Sequence, residues 1–264
     1  MKSFINKGIH WLLRTAHKPT VCSDEDRNKY LKKAIEVNSE IKHWLEHSNY
    51  EMIGLGQNCN ASWYIKESGN KQSSYPFDWI FTTPEILLDI LDDDFAAFVR
   101  KDLLIPHGMD AGNERYHETL YGHRNPASRE ADRDYLVRCI ERWRTQIQAQ
   151  KPILFLTIVL NESDKRKRWK EGFTKEFEMP TNQKLADFKP LITKLKSLNP
   201  NCKFLFIEQK TQEPFDLSAL EKNEHTFWLN FSAIDKNTGV QYMHHVDDEV
   251  MKTLLEKVVE TNRN

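Results

Sequence analysis

The run Gly54-Leu55-Gly56-Gln57-Asn58-Cys59 follows a short apolar stretch, Met52-Ile53, and precedes a helical pattern, so a cysteine stands at a strand-to-helix bend. That is a position from which a thiol can attack. The chain holds 9 glycines in 264 residues, and two of them, Gly54 and Gly56, fall here. Glycine tolerates positive φ and close backbone approach, so the pair predicts a sharp turn. Ala61, Trp63, Tyr64 and Ile65 read as the start of the helix. With Asn58 as its N-cap, Cys59 lies in the first turn, facing free backbone N–H groups and the positive end of the helix dipole. Such surroundings lower a thiol's pKa and favour the thiolate, the form that attacks carbonyls. The N–H groups from Gln57 to Asn60 would then receive the oxyanion. The competing reading is that Cys59 is a small buried core side chain.

The other cysteines read as packing or connector residues. Cys139 lies on the apolar face of a helical pattern, Cys202 just precedes an apolar strand, and Cys22 sits in a polar connector. None makes a CxxC or Cys/His spacing suited to zinc, so no metal site is expected. Four scattered cysteines are no disulfide scaffold, and a reducing cytoplasm is the simplest home. A net charge of −1 argues against general binding to nucleic acid, and no apolar run reaches the length of about 18 residues needed to span a membrane. Residues 1–20 carry Lys2, Lys7, Arg14 and Lys18 with no acid among Phe4, Ile5, Ile9, Trp11, Leu12 and Leu13. This basic amphipathic pattern suits either peripheral contact with an anionic inner-membrane surface or packing on the chain's own domain.

The elements that must position Cys59 follow from periodicity. After the N-terminal segment, Ser23 caps a helix with Leu31, Ala34, Ile35, Asn38, Ile41, Trp44 and Leu45 at helical spacing, which sets residues 1–48 apart from a single α/β domain over 49–264. Thr83 and Pro84 open another helix, and Tyr135, Cys139, Ile140, Trp143 and Ile147 mark a third. Residues 153–160 are continuously apolar, as in strands buried on both faces, and 203–207 and 227–231 repeat the pattern. A helical stripe from Leu185 to Leu195 separates the first two of these strands, and a closing helix capped near Asp247 or Asp248 and lined by Val250, Met251, Leu254, Leu255, Val258 and Val259 follows the last. The alternation predicts an α/β fold: a mainly parallel sheet covered by helices on both faces, with an N-terminal helical extension.

In such sheets ligands gather beyond the carboxyl ends of the strands. Cys59 follows the first strand, Asn161 and Ser163 the second, Glu208 and Gln209 the third, and Ser232 and Asp235 the fourth. His244 and His245 lie between the last strand and the closing helix, within reach of that rim, and either could serve as base for the thiol. Lys165-Arg166-Lys167-Arg168-Trp169-Lys170, just after the second strand, would suit the pyrophosphate of a nucleotide-linked or coenzyme A donor, or be an ordinary solvated loop.

Leu55-Gly56-Gln57-Asn58-Cys59 together with Tyr75-Pro76-Phe77-Asp78-Trp79-Ile80 resembles an uncharacterised bacterial family described as papain-like cysteine peptidases. In that family a glycine-plus-cysteine turn precedes a Pro-Phe-Asp-Trp segment, then a histidine, then an arginine-bearing helix leading into an apolar strand. The matching stretch here is Tyr121-Gly122-His123, then 138–144 and 153–158, so the resemblance covers roughly residues 50 to 160. It implies Cys59 as nucleophile and His123 as base. Asp78 is then a candidate to orient the histidine, or a structural carboxylate in the turn after Pro76. A looser similarity links the chain to cysteine-containing acyltransferases that modify bacterial surface polysaccharides.

The expected function is a cysteine-dependent acyl-transfer enzyme, hydrolase or transferase. It would use Cys59 with His123, His244 or His245, and would hold its substrate with Gln57, Asn58, Asn60, Asn161, Lys165 and Arg166. The substrate is a small molecule, glycan or peptide. No cofactor is required, although a transferase would draw on a coenzyme A-linked donor. The alternative is a non-catalytic binding or assembly protein. An exposed, low-pKa Cys59 beside a histidine favours the first; a buried thiol without that neighbour favours the second.

Overall fold

A computed structural model describes residues 21–260 except 48, 162–170, 175, 179 and 181. The N-terminal segment 1–20 and the basic run from Lys165 and Arg166 to Lys170 therefore lie outside the described residues. Helix α1 spans Asp24–Leu45, strand β1 Glu51–Gly54, and helices α2, α3 and α4 span Asn60–Glu67, Pro84–Asp92 and Ala96–Val99. Strands β2 (Leu104–His107), β3 (Asp110–Asn113) and β4 (His117–Tyr121) lead to α5 (Glu130–Gln148). The remaining elements are β5 (Ile153–Leu160), α6 (Leu185–Leu198), β6 (Cys202–Thr211), β7 (Asp216–Lys222), β8 (Thr226–Ala233) and α7 (His245–Leu254).

The main sheet runs in the order β1-β5-β6-β8-β7, parallel throughout except for β7, which pairs antiparallel on the edge. Side chains alternate across it. Phe155, Val159, Phe204, Phe206 and Trp228 join the core containing α3, α5 and α6, whereas Leu154, Leu156, Ile158, Leu205, Ile207, Phe227, Leu229 and Phe231 join the core containing α1, α2 and α7. Burial of both faces is why β5 reads as an unbroken apolar run. The fold is thus a mostly parallel α/β sheet flanked by helices, with the N-terminal helix tied in. Asn38 Nδ2 donates to Leu254 O at 2.9 Å, and Arg27 pairs with Glu249 at 2.8 Å.

Local signals explain the helix starts. Ser23 Oγ accepts from Asp26 N at 3.0 Å, and Thr83 Oγ1 accepts from Ile86 N at 3.2 Å with Pro84 in the first turn. Two boundaries differ from the sequence reading. The cap of α7 is His244, not Asp247 or Asp248, because its Nδ1 takes the Val246 N–H. Helix α7 also ends at Leu254, although Val258 and Val259 beyond it are buried.

A second, three-stranded antiparallel sheet, β2-β3-β4, was not read from the sequence. It is linked to the main sheet by residues 77–82. Phe81 N donates to Leu120 O at 3.1 Å, Gly122 N donates to Trp79 O at 3.2 Å, and Ile80 bridges Tyr121, so this segment extends the edge of β4. On its other side, Thr82 Oγ1 donates to Gly56 O at 3.1 Å. A Cβ at Gly56 would stand 3.0 Å from Phe77 O and 3.1 Å from Ile80 O. Close approach, not positive φ, is what requires Gly56, since neither it nor Gly54 has a left-handed φ.

Asp78 fastens the same segment to α2. Its Oδ1 accepts from Ser62 Oγ at 2.8 Å, its Oδ2 accepts from Tyr75 N at 3.0 Å, and Lys71 forms an ion pair with it. The Asp78 side chain is 1% exposed. We expect Asp78→Ala to destabilise the chain by about 3 kcal/mol, since it strands a largely buried lysine and leaves a hydroxyl and an N–H without their acceptor. Urea unfolding measures this; a loss below about 1 kcal/mol would mean that the clamp is not what holds residues 77–82.

Candidate functional site

All four parallel strands point their carboxyl ends to one rim, and the turn after β1 carries Cys59 onto it. The bend is capped one residue earlier than a plain N-cap would give: Asn58 Oδ1 accepts from Asn60 N at 2.9 Å, so Cys59 itself is the boundary residue of α2. Its sulfur faces β4. A Cβ at Gly122 would stand 3.6 Å from Cys59 Sγ and 3.1 Å from Trp79 O. His123 follows immediately.

The two residues that flank this contact are backbone outliers. Trp79 has φ 63° and His123 φ 64°, both in the left-handed region that bulky residues seldom occupy. The two rings meet edge to face with centroids 6.5 Å apart. The His123 N–H donates to Asp110 Oδ1 at 2.6 Å. Strain of this kind persists only where surrounding structure enforces it, and it gathers at functional sites. Asp110 was not singled out from the sequence, and Trp79 and Gly122 entered only as motif residues, because their meeting depends on the pairing of residues 79–81 with β4.

The thiol's electrostatics run opposite to the expectation from the helix dipole. Cys59 is 5% exposed, and burial pushes its pKa from 9.0 up to about 12, with the Asp110 charge acting in the same direction. The resting group is a protonated thiol. The remaining cysteines are also raised by burial: Cys139, Cys202 to about 12, and the half-buried Cys22.

The other expected residues divide into partnered and unpartnered groups. Gln57 Oε1 accepts from Leu160 N at 2.8 Å and its Nε2 donates to Gln183 Oε1 at 2.5 Å, while Asn161 and Gln183 bond reciprocally, at 3.1 and 2.9 Å. Those amides close the rim between β1 and β5. Asn60 Nδ2 reaches Gln209 Oε1 at 3.4 Å, and the same oxygen accepts from Asn237 Nδ2 at 3.0 Å and Tyr242 OH at 2.7 Å. Two buried atoms at the bend, Asn58 Nδ2 and Asn60 Oδ1, have no partner among the described residues. A buried amide donor beside a nucleophile is what an oxyanion would use.

The histidines are placed unequally. His244 is buried, with Nδ1 accepting from Val246 N at 3.3 Å and its ring stacked on exposed His245 at 4.8 Å. His123 is exposed and joined to the residue that packs on Sγ. The Asp78 carboxylate is engaged by Ser62, Lys71 and the Tyr75 N–H, bonds that fasten residues 77–82 to α2. Among the described residues, no group of three or more His, Cys, Asp or Glu side chains is placed to hold a metal ion, and no helix is long and apolar enough to cross a membrane.

With the thiol at about 12, its thiolate fraction rises tenfold per pH unit below that value. We expect iodoacetamide labelling of Cys59 in the native chain to be slower than that of Cys22 at neutral pH and to climb without levelling between about pH 7 and 10. A plateau reached below about pH 8 would reveal a resting thiolate and overturn the burial argument.

No family model, no curated protein and no solved structure matches this chain, so the two motifs and the geometry at Cys59 carry the functional reading.

Proposed function

We propose that the chain is a cysteine-dependent acyl-transfer enzyme in which Cys59 is the acyl acceptor and His123 its base. The observation that carries this is the packing of Gly122 on Cys59 Sγ between two left-handed residues, Trp79 and His123. In the resting chain the thiol is protonated, which burial enforces. An acyl donor entering the rim would bring its carbonyl against the sulfur. The imidazole of His123 would take the thiol proton as the S–C bond forms, and Asn58 Nδ2, buried without a partner, would donate to the oxyanion. Collapse of the tetrahedral adduct breaks the bond to the leaving group, which receives the proton from His123 and departs. Water or an acceptor hydroxyl or amine then releases the acyl group by the reverse sequence.

Intact-mass analysis of the full chain with p-nitrophenyl acetate and with acetyl-coenzyme A tests this. One acetyl adduct is expected, mapping to Cys59 and lost in Cys59→Ala. His123→Ala and Asn58→Ala should each slow its formation about 10²-fold. An adduct that forms equally fast without His123 would remove that residue as base.

A second reading, a binding protein that performs no chemistry, is favoured by the burial of Cys59 together with its pKa of about 12. It predicts a stabilising shift in Tm on ligand addition with no change in protein mass, unaltered in Cys59→Ala.

A further inference from the structure

The candidate base needs a fixed pose, and Asp78 does not supply it. The geometry points to Asp110 as the positioning residue that fixes the backbone of His123 beside the glycine packed on Cys59 Sγ, an inference that rests on the acyl-transfer reading above. Asp110 opens β3, the central strand of the small sheet, and its Oδ1 accepts the His123 N–H at 2.6 Å. A short bond from a backbone N–H to a carboxylate is of the stronger, charge-assisted kind. It acts where strain is concentrated, since a left-handed φ at a residue other than glycine relaxes unless something retains it.

Asp110 is itself anchored. Its hairpin is tied to the loop after His123 at two points, Asn125 Nδ2 to Gly108 O at 3.0 Å and Arg129 Nη2 to Met109 O at 3.1 Å. The preceding residue is tied too, because Gly122 N donates to Trp79 O. Two successive N–H groups leading into the His123 Cα are therefore gripped, that of Gly122 by the Trp79 carbonyl and that of His123 by the Asp110 carboxylate. Releasing the second grip frees the turn to relax into the ordinary φ region, which redirects the imidazole. Asp110 also lies close enough to Cys59 for its charge to oppose thiolate formation, which places the carboxylate near the sulfur.

The test is a double-mutant cycle read by the rate of Cys59 acetylation from p-nitrophenyl acetate in the full chain. Asp110→Ala should slow acetylation about 30-fold, since a displacement of about 1 Å at a reacting pair can cost as much as 10²-fold. Asp110→Asn, which keeps an acceptor for the His123 N–H, should recover most of that loss. In a His123→Ala background, Asp110→Ala should slow the reaction less than about twofold further, because a residue that acts through His123 has nothing left to position. Equal slowing with and without His123 would overturn the inference, as would no slowing at all. Amide hydrogen exchange of His123 in the wild-type chain gives a check that does not depend on any variant folding: a protected N–H is expected, and an unprotected one overturns the proposal. If the wild-type chain forms no acetyl adduct while Asp110→Ala releases a protected His123 N–H, the acyl-transfer reading falls and the hold of Asp110 on His123 is upheld.

Discussion

Parallel pairing of β1, β5, β6 and β8 constrains nearly everything else in this chain. Once both faces of a sheet are buried, its backbone groups have only the ladder to satisfy them, so the strands must be continuous and in register; β5 and β6 pair over eight residues, Ile153 through Leu160. The connections between parallel strands are then crossovers, and the crossover from β1 to β5 is long enough to hold α2 through α5 and the small sheet. Every strand that runs in the same direction ends at the same rim. The bend at Cys59, the amides of Gln57 and Asn161, and Gln209 at the end of β6 are neighbours for that reason.

At that rim, two effects on the thiol compete, and their sizes decide the outcome. A helix N-terminus favours an anion by about 0.3–1 kcal/mol at an exposed site. Burial moves the Cys59 pKa from 9.0 to about 12, which corresponds to about 4 kcal/mol against the thiolate. Desolvation wins by a wide margin. Burial of Cys59 was the competing expectation, and it holds; what covers the sulfur was not legible, because Gly122 and residues 77–82 come together only through tertiary pairing. An exposed, low-pKa thiol beside a histidine was to favour chemistry, and a buried thiol without that neighbour was to favour binding. Here the sulfur is buried and a histidine adjoins the glycine that covers it, so the distinction passes from the resting pKa to what happens once a carbonyl occupies the rim.

Periodicity revealed the elements whose burial is simple. The continuous apolar strands, the helical stripes of α5 and α6, and the caps at Ser23 and Thr83 all appear where their residue patterns place them. Strands β2, β3 and β4 escaped because they are four or five residues long and include Pro106 and Gly112, both weak strand formers. Gly112 is needed there: a Cβ would lie 2.1 Å from Glu118 O. Strand β7 escaped for another reason, since it is an edge strand that buries only Leu217 and so has no alternating pattern to detect. The site was legible at Cys59, Asn58 and Asn60, which are local to one bend. It was not legible at Asp110, which is brought near by a hairpin with no sequence signal, whereas the structural alternative for Asp78, a carboxylate bonding backbone in the turn after Pro76, is what the Tyr75 N–H bond shows.

The strain at Trp79 and His123 connects these levels. Each left-handed residue costs about 1–3 kcal/mol, and the bonds that hold the pair, Gly122 N to Trp79 O and His123 N to Asp110 Oδ1, each return about as much. Chain connectivity alone does not require this conformation: a glycine at either position would remove the cost, and the chain uses a glycine nearby, at 122, where a Cβ would meet the Trp79 carbonyl and the sulfur. Glycine therefore stands where the backbone must lie close to Cys59, while the two flanking positions keep large aromatic rings despite their φ. Left-handed φ at a bulky residue is not confined to this turn, since the core residue Phe95 has φ 67°; what sets Trp79 and His123 apart is that both meet the glycine packed on Cys59 Sγ.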